Sequence, residues 1–407
     1  MKLFKMSIAA MLVLQVSSYA IENVEFSGAG KFFYATLDGD GTSHWFDKES
    51  AYSQFGLDLA VAADLGAGFK GKAALTGLAT AGMKGDVANS PWATTDTGNQ
   101  LWISELSIAK NVTDKTSVTL GRQKLDTPFI FTEVWNIAAN TFDAVLVENT
   151  DIGSTTLIGA YVDKGNGLDA FDSVNSAIRP SGKLKDPFEK FMNNNGAYTV
   201  GAINKSLPGT TLQGWYYHID DTAKAYWLEM DSEYEGMLFG LQAAGLDMDN
   251  EVDAAKTSRG YAAKIGYVGV DHLTLSAAVS QTHKDGSSEY KIANLASSKG
   301  TTGGEQTKLY TEAWWNFGYV SKPGVTAYNA TMLYTIPDMV DLGLFYTAAN
   351  QVNAVNDGKA DMNEITGTVG EHFGALDASV AYIYAKAKDF NDNQWYSTVQ
   401  VYVTYHF

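Results

Sequence analysis

After residue 20, apolar side chains recur at every second position, and almost nowhere at the 3.6-residue spacing of a helix. In the closing stretch WYSTVQVYVTYHF, Val399, Val401, Val403, Tyr405 and Phe407 alternate with Thr398, Gln400, Tyr402, Thr404 and His406. Leu273, Leu275, Ala277 and Val279 repeat the pattern, as do Phe55, Leu57, Leu59 and Val61, and Val340, Leu342, Leu344 and Tyr346. A period of two is that of a β-strand, whose side chains alternate between two faces. Tyr 22, Phe 19 and Gly 39 against Pro 7 fit a chain of pleated strands. No apolar run after the leader reaches the length of a membrane-crossing helix. Strands that cross a bilayer need only short alternating segments.

The connections come in two sizes that take turns along the chain. Tight ones hold Gly, Pro, Asn and Asp: DLGA at 64–67, NVTDKT at 111–116, NTDIGS at 149–154, LPGT at 207–210, GVDH at 269–272, PDMV at 337–340 and GALD at 374–377. Long polar ones fill 38–50, 82–99, 163–195, 283–309 and 350–360. The fold expected is all-β: a transmembrane up-and-down antiparallel β-barrel with short periplasmic turns and long outer loops. About eighteen strands can be marked, with sixteen as the competing count; the weakest candidates lie at 216–230 and 307–320. In such a barrel the greasy file meets acyl chains and the polar file meets water in the lumen. Phe407, with Tyr405 and Val403 in register before it, resembles the C-terminal assembly signal of bacterial outer-membrane barrels. The barrel-assembly machinery is the partner this implies.

MKLFKMSIAAMLVLQVSSYA reads as a secretory signal: Lys2 and Lys5, a short apolar run, and Ser18-Tyr19-Ala20 at the exit. The expected division is a signal peptide at 1–20 and a barrel at 21–407. Cys is absent, which removes disulfide and thiolate chemistry. The net charge is −17, and loss of Lys2 and Lys5 with the leader takes it to −19. So acidic a chain is a poor nucleic-acid binder and favours cations near a narrow passage.

Between Gln123 and Thr141 the alternation lapses for about seventeen residues before FDAVLVEN resumes it. This is the third outer loop. Folded inward, its Phe129, Ile130, Phe131, Val134 and Trp135 would pack on the wall, while Lys124, Asp126 and Glu133 would meet the solute. Lys70 and Lys72 share the polar parity of their strand and are candidate pore-lining residues.

GRQ, then L-x-TP, then NTF-x-A-V and NT-x-I-x-x-T-x-L-x-A-Y-V, over 121–162, resemble the OprD-like outer-membrane porins, including epsilonproteobacterial members. The acidic chain is also similar to the Campylobacter-type major porins. The resemblance implies eighteen strands, an inward third loop and passive uptake of small hydrophilic solutes, with no cofactor. OprD-like lumens carry an arginine ladder, whereas this chain has Arg122, Arg179 and Arg259 alone. Arg122 matches the GRQ motif and joins the expected constriction set. It nevertheless shares the parity of Val118 and Leu120, so a bulge or a strand end must turn it toward water.

Asp38, Asp40, Thr42 and Glu49 sit at positions 1, 3, 5 and 12 of a calcium-loop pattern, but Ser43 replaces its glycine. They are a weak metal candidate, with Ca2+ the ion. The six histidines show no metal-ligand spacing, and no nucleophile elbow or phosphate loop occurs. The expected function is a non-enzymatic, mildly cation-preferring porin of the bacterial outer membrane. Its partners would be the bilayer, lipopolysaccharide and small solutes, as a monomer or homotrimer. A barrel-borne hydrolase, or an adhesin using the long loops, is the alternative.

Overall fold

Eighteen strands run antiparallel, each hydrogen-bonded to the next. They are β1 (Glu22–Asp38), β2 (Ala51–Gly66), β3 (Phe69–Ala79), β4 (Gln100–Thr113), β5 (Thr116–Gln123), β6 (Phe142–Asn149), β7 (Thr155–Gly165), β8 (Ala197–Asn204) and β9 (Thr210–Ile219). There follow β10 (Ala223–Tyr234), β11 (Met237–Met248), β12 (Thr257–Val270), β13 (Leu273–Thr282), β14 (Val325–Ile336), β15 (Val340–Gln351), β16 (Met362–Phe373), β17 (Leu376–Ala387) and β18 (Tyr396–His406). The two-residue segment Glu189–Lys190 adds a short pairing to the end of β7. The computed structural model describes residues 21–39, 44–80, 83, 85–88, 100–135, 137–166, 189–190, 196–249, 256–287, 290–297, 306–351, 361–388, 391 and 394–407. The leader assigned to 1–20 lies outside them.

β18 pairs with β1 from Ala29 opposite His406 to Asp38 opposite Ser397, and Gly28 and Phe407 exchange both backbone hydrogen bonds beyond that. Closure leaves no open edge, which a sheet bathed in hydrocarbon requires. The stretch 216–230 divides between β9 and β10 as regular strands, whereas 307–320 is not a strand.

The faces are inverted relative to a soluble protein. Leu57, Leu59, Ile108, Leu120, Leu228, Leu241, Ile265, Val279 and Leu344 are all exposed on the outside. Asp58, Thr76, Gln213, Glu229, Gln242 and Glu364 occupy the interleaved inward positions. So large an apolar surface is incompatible with water and suited to lipid. Aromatic residues bound it. Tyr267 and Tyr334 lie near the short-turn end, and Tyr261 and Tyr328 lie six residues further along the same strands. Six residues span about 20 Å of strand, or about 15 Å of membrane depth at the tilt of such strands, which falls within the ~25 Å apolar band of an outer-membrane barrel.

The tight turns use backbone conformations that few residues accept. Gly236 has φ +77°, and a Cβ there would come within 2.9 Å of the Gly269 backbone. Two ladder irregularities also matter below. Ser104 is an extra residue in β4 opposite the Ala74–Leu75 step, and Asp163 is an extra residue in β7 opposite Asp143–Ala144. Such bulges bend a strand and redirect its groups.

Candidate functional site: a lumen crossed by two loops

Loop L3, residues 124–141 between β5 and β6, folds into the barrel. Its tip closes on itself: the Thr127 amide and hydroxyl donate to the Ile130 carbonyl at 3.1 and 2.8 Å, and the Thr132 amide donates to the Leu125 carbonyl at 2.7 Å. That tight turn pushes Phe129 against β9 and β10, its ring edge-on to Tyr217 at 5.5 Å and Trp227 at 5.6 Å. The other end of the loop packs on the opposite wall, where Ile137 and Ala138 join Phe33, Leu78 and Trp102. L3 therefore spans the lumen.

A second loop was expected outside and is found inside. L7, residues 283–324 between β13 and β14, includes the whole 283–309 stretch read as a polar outer loop, of which 288–289 and 298–305 lie outside the described residues. Yet Ile292, Asn294, Leu295 and Leu309 are buried. L7 is tied to L3 by one side chain above all. The Asn294 amide receives the Phe131 N–H at 3.2 Å and donates to the Phe131 carbonyl and to Glu133 Oε1, both at 2.8 Å. It mimics a strand neighbour. The Leu295 amide also donates to the Phe129 carbonyl at 2.8 Å. Lys308 closes the contact, 2.7 Å from Asp126 and 4.7 Å above the Phe131 ring.

L7 is fixed to the wall at two depths. Glu364 of β16 accepts hydrogen bonds from the Trp315 amide (2.9 Å), the Asn316 amide (2.8 Å) and the Asn316 side chain (2.8 Å). Lower down, Gln242 of β11 accepts from the Tyr310 amide at 3.1 Å and donates to the Lys308 carbonyl at 2.8 Å. The Tyr310 ring lies over Gly240, where a Cβ would fall 2.6 Å from ring carbon. Lys264 sits 4.1 Å above that ring and 2.8 Å from Asp231. Glu229 beside it accepts from Trp227, Gln213 and Gln242 at 2.9, 2.7 and 2.8 Å. Every polar group of this network that faces the loop has a partner, as a rigid wall requires.

The residues singled out from sequence fare differently. Asp126 is 81% exposed and lies 2.7 Å from Lys308. Lys124 is exposed at the start of L3. Lys70 and Lys72 hold inward positions, but Lys72 lies 2.8 Å from Glu105 and is no free basic track. Glu133 does not meet the solute: it is 1% exposed, held by Asn294 and Asn140 beneath the loop. Arg122 keeps the outward parity of Leu120 and Leu106. Instead of turning to the lumen, it grips Asp143 at 2.8 and 3.2 Å and the Ile103 carbonyl at 2.8 Å.

For calcium, Asp40 and Thr42 lie outside the described residues. Asp38 faces His44 at 3.9 Å, and Glu49 is in a single turn of helix, Lys48–Ser50. Among the described residues no cluster of His, Asp and Glu has metal-holding geometry. Sequence reading missed Asn294, Lys308 and Tyr310, which carry no periodic signal. It also passed over Lys31, Asp58, Glu105, Asp231 and Lys264, which inward parity would have flagged.

One loop carboxyl is perturbed. Burial pushes Glu312 of L7 up to about 8, and the neighbouring Glu133 charge adds to this, against the Thr307 amide and Lys308, which favour ionisation.

No protein-family model matches the chain, and no curated relative does. Solved structures do share its fold. Acinetobacter baumannii OccAB1 superposes with a TM-score of 0.72 at 11% identity, covering 96% of this chain and 98% of that one. Pseudomonas aeruginosa OccK8 (OprE) gives 0.71 at 14% identity, covering 95% and 98%. Pseudomonas aeruginosa OpdK, solved with vanillate, gives 0.70 at 10% identity, covering 95% and 99%. The architecture is thus the eighteen-stranded closed barrel of the OccK/OprD-type porin structures. At these identities the likeness is one of fold.

Proposed function

We propose that this chain is an outer-membrane porin. Small hydrophilic solutes pass down their gradients through a lumen narrowed jointly by L3 and L7. The observation that carries the reading is the inverted barrel: a girdled apolar exterior around an interior that two loops constrict, their apolar sides packed on the wall. Mild cation preference follows from the charges. Lys31, Lys72, Lys264 and Lys308 each lie against a carboxylate, Asp58, Glu105, Asp231 and Asp126, at 2.6 to 2.8 Å. With these four lysines neutralised, a strongly acidic chain concentrates cations over anions. The leader at 1–20 would direct export. The Val403, Tyr405 and Phe407 file would be what the barrel-assembly machinery reads. Planar-bilayer recording under a salt gradient tests the function. Open-state current with a reversal potential on the cation side supports it; a silent bilayer contradicts it.

A further inference from the structure

The outer wall carries a groove of about 780 Å³ across β9–β13. It opens among the outward files, with the inward-file residues Gln213, Glu229, Gln242, Ala262 and Ser280 at its floor, and no described residue of L7 borders it. Register explains the hollow. Ala243 stands between Leu228 and Tyr261 on the neighbouring strands, and Ala263 between Leu241 and Val279. Two methyl groups framed by large side chains make a depression where the rest of the wall is a ridge. The volume lies in the range, roughly 300–1,000 Å³, of sites that hold small ligands.

Above the groove the chemistry changes. Arg259 is two residues beyond Tyr261 in the same outward file, about 7 Å along the strand. Lys224 is four residues beyond Leu228 in its own file. Both are exposed, and among the described residues neither makes an ion pair or a side-chain hydrogen bond. Arg259 is opposite Gly245 and Lys224 is opposite Asp247, so a single carboxylate stands between two cations. This end of the strands is the one away from the tight turns at 235–236 and 271–272 and from the closing C-terminal residue.

We propose that this surface is a binding site for a phosphorylated, acylated glycolipid of the outer leaflet, an acyl chain in the groove and a phosphate on Arg259 and Lys224. An arginine fork matches phosphate geometry, and unpaired cations at headgroup depth attract it. A second copy of the chain fits less well, because a two-fold mate would bring the same cations together. The proposal rests on the outer-membrane placement. That placement is read separately, from heat-modifiable mobility and insertion into vesicles.

The test is retention of lipid A through detergent purification and delipidation, read by native mass spectrometry of the full mature chain. Wild type is expected to hold bis-phosphorylated lipid A at least about tenfold better than its dephosphorylated form or phosphatidylglycerol, equivalent to about 1.4 kcal/mol. R259Q/K224Q should lose that preference. A243L/A263L should lower retention of both lipid A forms while barrel mobility and conductance are unchanged. Equal retention of phosphorylated and dephosphorylated lipid, equal retention of phosphatidylglycerol, or a cross-linked pair of chains through this face would overturn it. Failure to insert at all would overturn the membrane reading instead.

Discussion

Arg122 and Asp143 face each other across the two roots of L3, joined by guanidinium–carboxylate contacts of 2.8 and 3.2 Å. Arg122 is the penultimate residue of β5 and Asp143 the second of β6, so their pairing fixes where the loop leaves and re-enters the wall. The third contact, to the Ile103 carbonyl, falls on β4 beside the Ser104 bulge. The pair lies on the outward side and is little exposed, which strengthens it relative to a pair in water.

Removing either partner should therefore loosen L3 at its base. Arg122→Met or Asp143→Asn is expected to destabilise the barrel by about 1–3 kcal/mol through the group left unpaired. The double variant R122M/D143L should cost less than the sum of the singles. A double-mutant cycle on thermal unfolding, with open-channel noise recorded in parallel, checks both. Strictly additive losses would show that the two side chains are not coupled.

Asn294 is the latch between L3 and L7. Asn294→Ala leaves the Phe131 amide and carbonyl and the Glu133 carboxyl without their partner, at about 1–3 kcal/mol for each buried group. Single-channel current should become larger and noisier. Deleting 124–140 should raise conductance more sharply still, and Lys308→Met should shift selectivity further toward cations. Unchanged conductance in the deletion would remove L3 from the pathway.

The Glu312 carboxyl gives the latch a pH dependence. Its value in the packed loop, about 8, lies above the ordinary 4.5, so the packed state holds a proton that a released loop gives up. Its contribution to packing is complete below about 4.5 and lost as pH rises through about 8. Above that, two carboxylates, Glu312 and Glu133, confront each other with Lys308 nearby. Current fluctuations are expected to increase from pH 7 to pH 9, and Glu312→Gln should abolish the increase. A flat profile in wild type would dismiss the role.

Tyr310 and Gly240 set the depth of L7. Gly240→Leu should displace the ring from the wall and alter conductance, and adding Tyr310→Ala should restore room for the new side chain. Conductance of the single and double variants decides whether the contact matters.

How far the sequence leads depends on whether a residue sits in a strand. Period-two files such as Val399 to Phe407 reveal strand, facing and barrel, because alternation is a local property of the chain. Even short segments such as 216–230 obey it. The lapse after Gln123 also marks L3. What stays hidden is contact between loops. Asn294 meets Phe131 163 residues away, and Lys308 meets Asp126 across 182. A polar loop that hydrogen-bonds inward has the same composition as one that faces water, so L7 reads as an outer loop. Glu133 and Arg122 fail for a related reason: a charge can meet solute only where its side chain stays exposed, and here Asn294 and Asp143 hold these two out of the water.

A chain without cysteine allows the inverted wall to be examined residue by residue. Single cysteines placed at Leu57, Asp58, Leu59 and Ala60 of β2, in protein reconstituted into vesicles, would be exposed to a water-soluble, membrane-impermeant thiol reagent. Labelling is expected at 58 and 60 and protection at 57 and 59. Uniform labelling, or the opposite alternation, would contradict a barrel that is oily outside and wet within.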